Sequence, residues 1–142
     1  MKIKNLTIER IFDVDLDKVW KAWTQPQFIE KWFGADPNGT VVLVEIDLRE
    51  GGQYKIRFLD SGGAVHCCIG HYLGIHYPNS LKMTLEWENE IGYINEITLD
   101  FIIAQGKTKQ IFTLVNMNPD SLHDYEYGWN STFNKMEKAL NT

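Results

Sequence analysis

The stretch PDSLHDYEYGWNSTFNKMEKAL, residues 119–140, sets Leu122, Tyr125, Trp129, Phe133, Met136 and Leu140 at successive spacings of 3, 4, 4, 3 and 4. That is the repeat of one helix face, so the spacing predicts a single long amphipathic helix over 119–140. Asn118 suits its N-cap and Pro119 its first turn. Asp120, Asp124 and Glu126 near the start, with Lys135 and Lys138 near the end, match the helix macrodipole. Gly128 interrupts the helix at a cost of about 1 kcal/mol relative to alanine. It implies either a bend or a close approach to the helix backbone. A helix with one oily stripe must bury it, and the preceding residues say against what.

Those residues alternate with period two. In 40–48, Val42, Val44, Ile46 and Leu48 share a face opposite Glu45 and Asp47; in 53–59, Tyr54, Ile56 and Phe58 do so opposite Lys55 and Arg57. A long strand follows over 65–77. Then come 81–88, with Leu81, Met83, Leu85 and Trp87 on one side, and 93–104, with Ile97, Leu99, Phe101 and Ile103. A last strand covers 108–117. Turn residues separate them, among them Glu50-Gly51-Gly52, Asp60-Ser61-Gly62-Gly63 and Gln105-Gly106-Lys107. An earlier strand, 6–12, is split from this series by two short helices. The first runs from an Asp15 or Asp17 cap through Trp23; the second restarts at Pro26 and stops near Phe33 before Gly34. Short connections make the strands an antiparallel meander. The fold class is therefore α+β, a curved antiparallel sheet of six or seven strands wrapped around the long C-terminal helix, with two short helices after the first strand.

Length fits one domain over 1–142. Fourteen Lys and Arg against nineteen Asp and Glu give a net charge of −5, which argues against a partner gripped by its phosphates, so no nucleic acid is expected. Apolar runs such as Val41 to Val44 fall far short of the ~20 residues of a membrane span. No apolar signal core follows the first residues, so the expected location is cytoplasmic. The two cysteines, Cys67 and Cys68, are adjacent and read as reduced thiols.

A curved sheet closed by one helix leaves room between them, and the inward faces carry Tyr54, Phe58, Trp87 and Phe101 from the sheet with Tyr125, Trp129 and Phe133 from the helix. Two readings stay open here: the rings fill the core, or they line a pocket. Catalytic and metal chemistry find less support. His66, Cys67, Cys68, His71 and His76 crowd one strand, but alternate residues face opposite ways, so no tetrahedral set converges and neither metal nor cofactor is assigned. There is no Gly-x-Ser-x-Gly elbow and no phosphate loop, and no catalytic constellation is recognised. Tyr54, Tyr72, Tyr125 and any histidine reaching the pocket are the acid/base candidates.

Four segments resemble the activator of heat-shock-protein-90 ATPase homologue family of the START-like, or SRPBCC, superfamily. They are Phe12-Asp13 with the run Val19 to Pro26; Trp32-Phe33-Gly34; Gly51-Gly52-Gln53-Tyr54 with Gly70-His71-Tyr72-Leu73 and Pro78-Asn79-Ser80-Leu81; and Gly128-Trp129 with Phe133, Met136 and Leu140. The aspartate-alanine-proline usual before the first helix is Asp13-Val14-Asp15 here, and the thiols on the long strand also depart from the pattern. The resemblance implies a helix-grip fold and a deep cavity that binds an apolar or aromatic small molecule, a lipid included. It adds Trp32, Cys68 and Tyr72 to the lining. Strict alternation around Ile69 and Leu73 would instead turn Cys67 and His71 inward, and a bulge near Gly70 or Gly74 would reconcile the two. The alternatives the resemblance carries are contact with heat-shock protein 90 in a stress response, or a cyclase or dehydratase using the same cavity. Monomer and homodimer are both compatible with it.

Overall fold

In a computed structural model that describes residues 5–141, strand β1 (Leu6–Phe12) leads into helices α1 (Leu16–Thr24) and α2 (Pro26–Ile29). Six strands follow: β2 (Thr40–Ile46), β3 (Gln53–Leu59), β4 (Val65–His76), β5 (Ser80–Trp87), β6 (Asn95–Ala104) and β7 (Lys107–Val115). A 3₁₀ turn (Pro119–Ser121) then starts the closing helix α3 (Leu122–Leu140). All seven strands form one antiparallel sheet in the order β1-β7-β6-β5-β4-β3-β2. The six-strand meander is as the alternation predicts, and β1 adds itself beside β7. Among the described residues no helix is long and apolar enough to cross a membrane.

The predicted ends shift where backbone groups find other partners. The α3 helix starts at Leu122 because Asn118 first caps a 3₁₀ turn, accepting from the Asp120 N–H at 3.0 Å. The α2 helix stops at Ile29, and single turns carry the chain on to Phe33. Strand β2 ends at Ile46, leaving Leu48 exposed. A register shift between Val41 and Leu43 turns Val42 out to solvent, while Val41, Val44 and Ile46 pack on the core. Ile103, expected inside, is 67 % exposed. On β4 the buried residues are Cys68, Gly70 and Tyr72, and the register shift lies between Tyr72 and Gly74. Ile69 and Leu73 face out. A bulge is thus present, at the later of the two glycines.

Tryptophans join the small helices to the sheet. Trp23 donates its indole N–H to Gln110 Oε1 on β7 at 2.7 Å, and Trp32 donates to the Ala22 carbonyl at 2.9 Å, so both rings are buried with their polar atoms satisfied. Polar tethers fix α3 over the sheet. Arg10 of β1 donates to Asn134 Oδ1 at 2.9 Å and to the Asn130 carbonyl at 3.0 Å. Lys18 donates to the Leu140 carbonyl at 2.7 Å, a cation at the negative end of the helix dipole. On the other flank, Ser131 and Lys135 donate to the carbonyls of Ala35 and Asp36.

At mid-sheet, Gly70 lets a side chain cross a strand. The Tyr54 ring from β3 lies over Gly70, and its hydroxyl donates to the Thr84 carbonyl on β5. The His71 N–H turns to Thr84 Oγ1 at 2.9 Å instead. A Cβ on Gly70 would overlap the Thr84 carbonyl oxygen and sit 2.6 Å from the Tyr54 ring. Gly70→Ala is therefore expected to cost roughly 1–3 kcal/mol by overpacking. Urea unfolding checks this; a midpoint equal to the parent's would show that the Thr84 carbonyl and the Tyr54 ring both give way freely.

Candidate functional site

The space between sheet and α3 is divided unevenly. Under the middle of the helix a void of only about 20 Å³ remains, lined by Trp23, Trp32, Tyr54, Ile56, Tyr72 and Trp129 among others. That is room for at most one water. At one end the elements part and leave a cleft of about 670 Å³, within the usual size of small-molecule sites, ~300–1,000 Å³.

Four segments wall the cleft. The 3₁₀ turn and the first half of α3 supply Ser121, Asp124, Tyr125, Gly128, Trp129 and Thr132, and the segment after α2 supplies Phe33, Gly34, Ala35 and Asp36. The β3–β4 hairpin adds Phe58, Asp60 and His66, and the end of β5 with the turn after it adds Trp87, Asn89 and Glu90. The rings form one contiguous floor. Phe33 lies edge-on to Phe58 at 5.6 Å and to Trp129 at 6.1 Å, Phe58 edge-on to Trp87 at 6.0 Å, and the His66 ring stacks on Phe58 at 5.3 Å.

Of the ten residues the sequence put forward, Phe58, Trp87, Tyr125 and Trp129 line the cleft. Trp32, Tyr54 and Tyr72 border the small void, as does Trp129 on its other side. Cys68, Phe101 and Phe133 are buried and line neither space. Burial pushes the Cys68 thiol and the Tyr54 and Tyr72 hydroxyls well above their ordinary values, so these groups stay protonated. Among the described residues no three His, Cys, Asp or Glu side chains gather as a metal set.

The polar rim could not be picked out of the sequence, because Asp36, Asp60 and Glu90 lie in turns where such residues commonly serve the backbone. Asp36 accepts from the Ser61 N–H and hydroxyl and from the Asn38 N–H, at 2.7 to 2.8 Å. These bonds hold its carboxyl down at about 2. Asp60 accepts from Gly62 and Ala64 and pairs with His66 Nε2 at 2.9 Å; His66 is the leading cause of its lowered pKa. Glu90 accepts from Tyr125 at 2.6 Å, Asn118 at 2.9 Å and Ser121 at 3.0 Å. Partial burial alone would raise the Glu90 pKa, but these hydrogen bonds outweigh it and hold the carboxyl below its ordinary 4.5. The Tyr125 hydroxyl is pushed up to about 12, by burial first and then by its bond to Glu90. Only the fold brings these groups to one rim.

Among the described residues, no backbone atom of another element lies within 4 Å of where a Gly128 Cβ would stand. A Cβ there would meet only the Ala35 Cβ, at 3.7 Å. The close approach that a mid-helix glycine suggests is absent, and the position faces the cleft.

The family description "Activator of Hsp90 ATPase homolog 1-like protein" matches residues 13–141. No curated protein matches the sequence. Solved structures share the fold at low identity. A Nitrosomonas europaea protein is 21 % identical with a TM-score of 0.83, over 96 % of this chain and 94 % of that one. A Staphylococcus epidermidis protein is 23 % identical with a TM-score of 0.80, over 99 % and 94 %. CalU16 from Micromonospora echinospora is 22 % identical with a TM-score of 0.73, over 97 % and 76 %. At these identities the likeness concerns the START-like fold.

Asp36 ties residues 36–39 to the β3–β4 hairpin through its charged form. Its folded pKa lies below the ordinary 3.8, so its contribution to stability is fully present above that pH and is lost as pH falls towards about 2. Asp36→Asn should lower the urea midpoint at neutral pH, and the gap to the parent should close across that acid window. A gap that persists at the acid end would assign the effect to packing.

Proposed function

The chain belongs to the Activator of Hsp90 ATPase homolog 1-like family, and from that premise we propose that it binds a small molecule with an apolar or aromatic body in the cleft between the sheet and the first half of α3. The observation that carries this reading is the cleft itself: about 670 Å³ with five aromatic residues, Phe33, Phe58, Trp87, Tyr125 and Trp129, on its walls. Such a surface costs free energy while it faces water and is relieved when a ligand covers it. The fixed carboxylates on the rim supply orientation. The family description favours a second reading, contact with heat-shock protein 90. Pull-down and ATPase stimulation separate it from the first; stimulation unaffected by filling the cleft would favour the chaperone contact.

Gly128 provides the test. Alanine there is expected to raise helix stability, by up to about 1 kcal/mol, since its Cβ meets only Ala35 at an ordinary distance. Leucine should extend into the cleft and occlude it. A ligand-observed NMR screen of small aromatic, alkyl and lipid-like compounds of all charge types is expected to give hits with the parent that Gly128→Leu abolishes. Should leucine lower the melting temperature, Gly128→Ala serves instead, with weakened binding expected. No hits, or hits that survive both substitutions, would overturn the reading.

A further inference from the structure

The charge around the cleft is lopsided. Apart from His66, every ionisable side chain on its wall other than the Tyr125 phenol is a carboxylate: Asp36, Asp60, Glu90 and Asp124. Among the described residues no lysine or arginine lines it. The four acids are not equally available. Asp36 is spent on Ser61 and Asn38, and the Lys135 ammonium stands close by, donating to the Asp36 carbonyl at 2.9 Å. Asp60 is spent on Gly62, Ala64 and His66.

The Glu90 and Asp124 pair differs. The donors to Glu90 are the hydroxyls of Tyr125 and Ser121 and the amide of Asn118, all neutral, so they orient the carboxylate without cancelling its charge. A carboxylate offers about four lone-pair directions, and these three bonds leave one unused. Asp124 is exposed and makes no side-chain hydrogen bond or ion pair among the described residues. Behind this wall Asn95 is fully buried against Tyr125, and its Oδ1 has no partner; its Nδ2 is committed to the Asn116 carbonyl at 3.0 Å, which fixes the amide orientation. Within the cleft, Glu90 and Asp124 are thus the carboxylates with no cationic partner among the described residues.

The same cleft is lined by Tyr125, Trp129 and Trp87, and aromatic π faces attract cations. A bare metal ion would leave this apolar floor uncovered. A fatty acid or aryl carboxylate would bring like charge to Glu90 and Asp124. We propose that the cleft is selective for an organic cation, an aromatic or alkyl body bearing a protonated amine, with the ammonium drawn to Glu90 and Asp124 and the body laid over Trp87 and Trp129. This rests on the reading of the cleft as a ligand site and adds the ligand's charge to it. The net charge of −5 acts in the same direction on the approach of a cation.

Calorimetric titration with naphthylethylamine, naphthylethanol and naphthylpropionate tests the charge while holding the ring constant. The amine should bind about tenfold more tightly than the alcohol, from combined cation–π and charge-assisted contacts, and the carboxylate most weakly. Added salt should narrow the difference. Asp124→Asn, which has no internal bond to lose, should reduce the amine's advantage severalfold, and Glu90→Gln should reduce it further. Equal binding of amine and alcohol, or an advantage unmoved by both substitutions, overturns the cation preference and leaves the cleft reading in place so long as Gly128→Leu blocks all three compounds. If none of the three binds while other compounds of the broader screen do, this inference alone falls; if nothing binds anywhere, both fall.

Discussion

One helix cannot cover seven strands. With its side chains a helix is about 10–12 Å across, whereas seven strands about 4.8 Å apart span nearly 30 Å. The apolar face of the sheet therefore has to curve towards α3 and borrow cover from elsewhere. Trp20 and Trp23 of α1, with Trp32 and Phe33 just after α2, provide it, each of them buried. Arg10, Lys18 and Lys135 then tie α3 down through the Asn130, Leu140 and Asp36 carbonyls. The cover runs out where the first half of α3, held to the turn after β5 through Glu90, stands away from the β3–β4 hairpin. The cleft is that shortfall, which places the candidate site at the end of the grip and leaves the middle filled.

The filled middle depends on a local exchange of hydrogen bonds. With no side chain on Gly70, the Tyr54 ring can lie across β4 and give its hydroxyl to the Thr84 carbonyl, while the His71 N–H takes Thr84 Oγ1. Every polar group in this exchange keeps a partner, so a buried tyrosine occupies space at no cost in unsatisfied donors. Tyr72 stacks obliquely on Tyr54 at 5.4 Å. Both lie on the inner face because the bulge comes after Tyr72, and beyond it Ile75 returns to the core. A residue that would read as a weak point in a strand thus lets the interior close.

The sequence carried the large elements because they repeat. The six apolar positions of α3 and the alternation in β3 and β5 survive in the burial pattern almost residue for residue. Facing was illegible where a strand is irregular. On β4 the bulky Ile69 and Leu73 point out and small Gly70 points in, which inverts the ordinary hydrophobic cue. On β2 the bulge after Val41 reversed Val42. Aromatic residues were visible as a class, but whether a ring meets its neighbours or a cleft depends on a few ångströms of separation between elements. Phe101 and Phe133 line neither space, while Phe58 and Trp87, packed on neighbouring rings, also border the cleft. The rim acids were invisible for another reason: they are contributed singly by three turns and one helix, and no spacing in the chain relates them.

Gly128 joins the energetics of the fold to the site. A glycine seven residues into a helix sacrifices about 1 kcal/mol of propensity, and such a cost is ordinarily offset by another backbone packed against the missing side chain. Here nothing is gained in that way, since the nearest foreign atom to a Cβ would be the Ala35 methyl at 3.7 Å. A larger side chain would instead pass the Ala35 methyl at the edge of the cleft that Gly128 lines. Local rules broken without a structural gain tend to mark functional surface. At Gly128 the helix that grips the sheet gives up propensity and leaves the volume beside it unfilled.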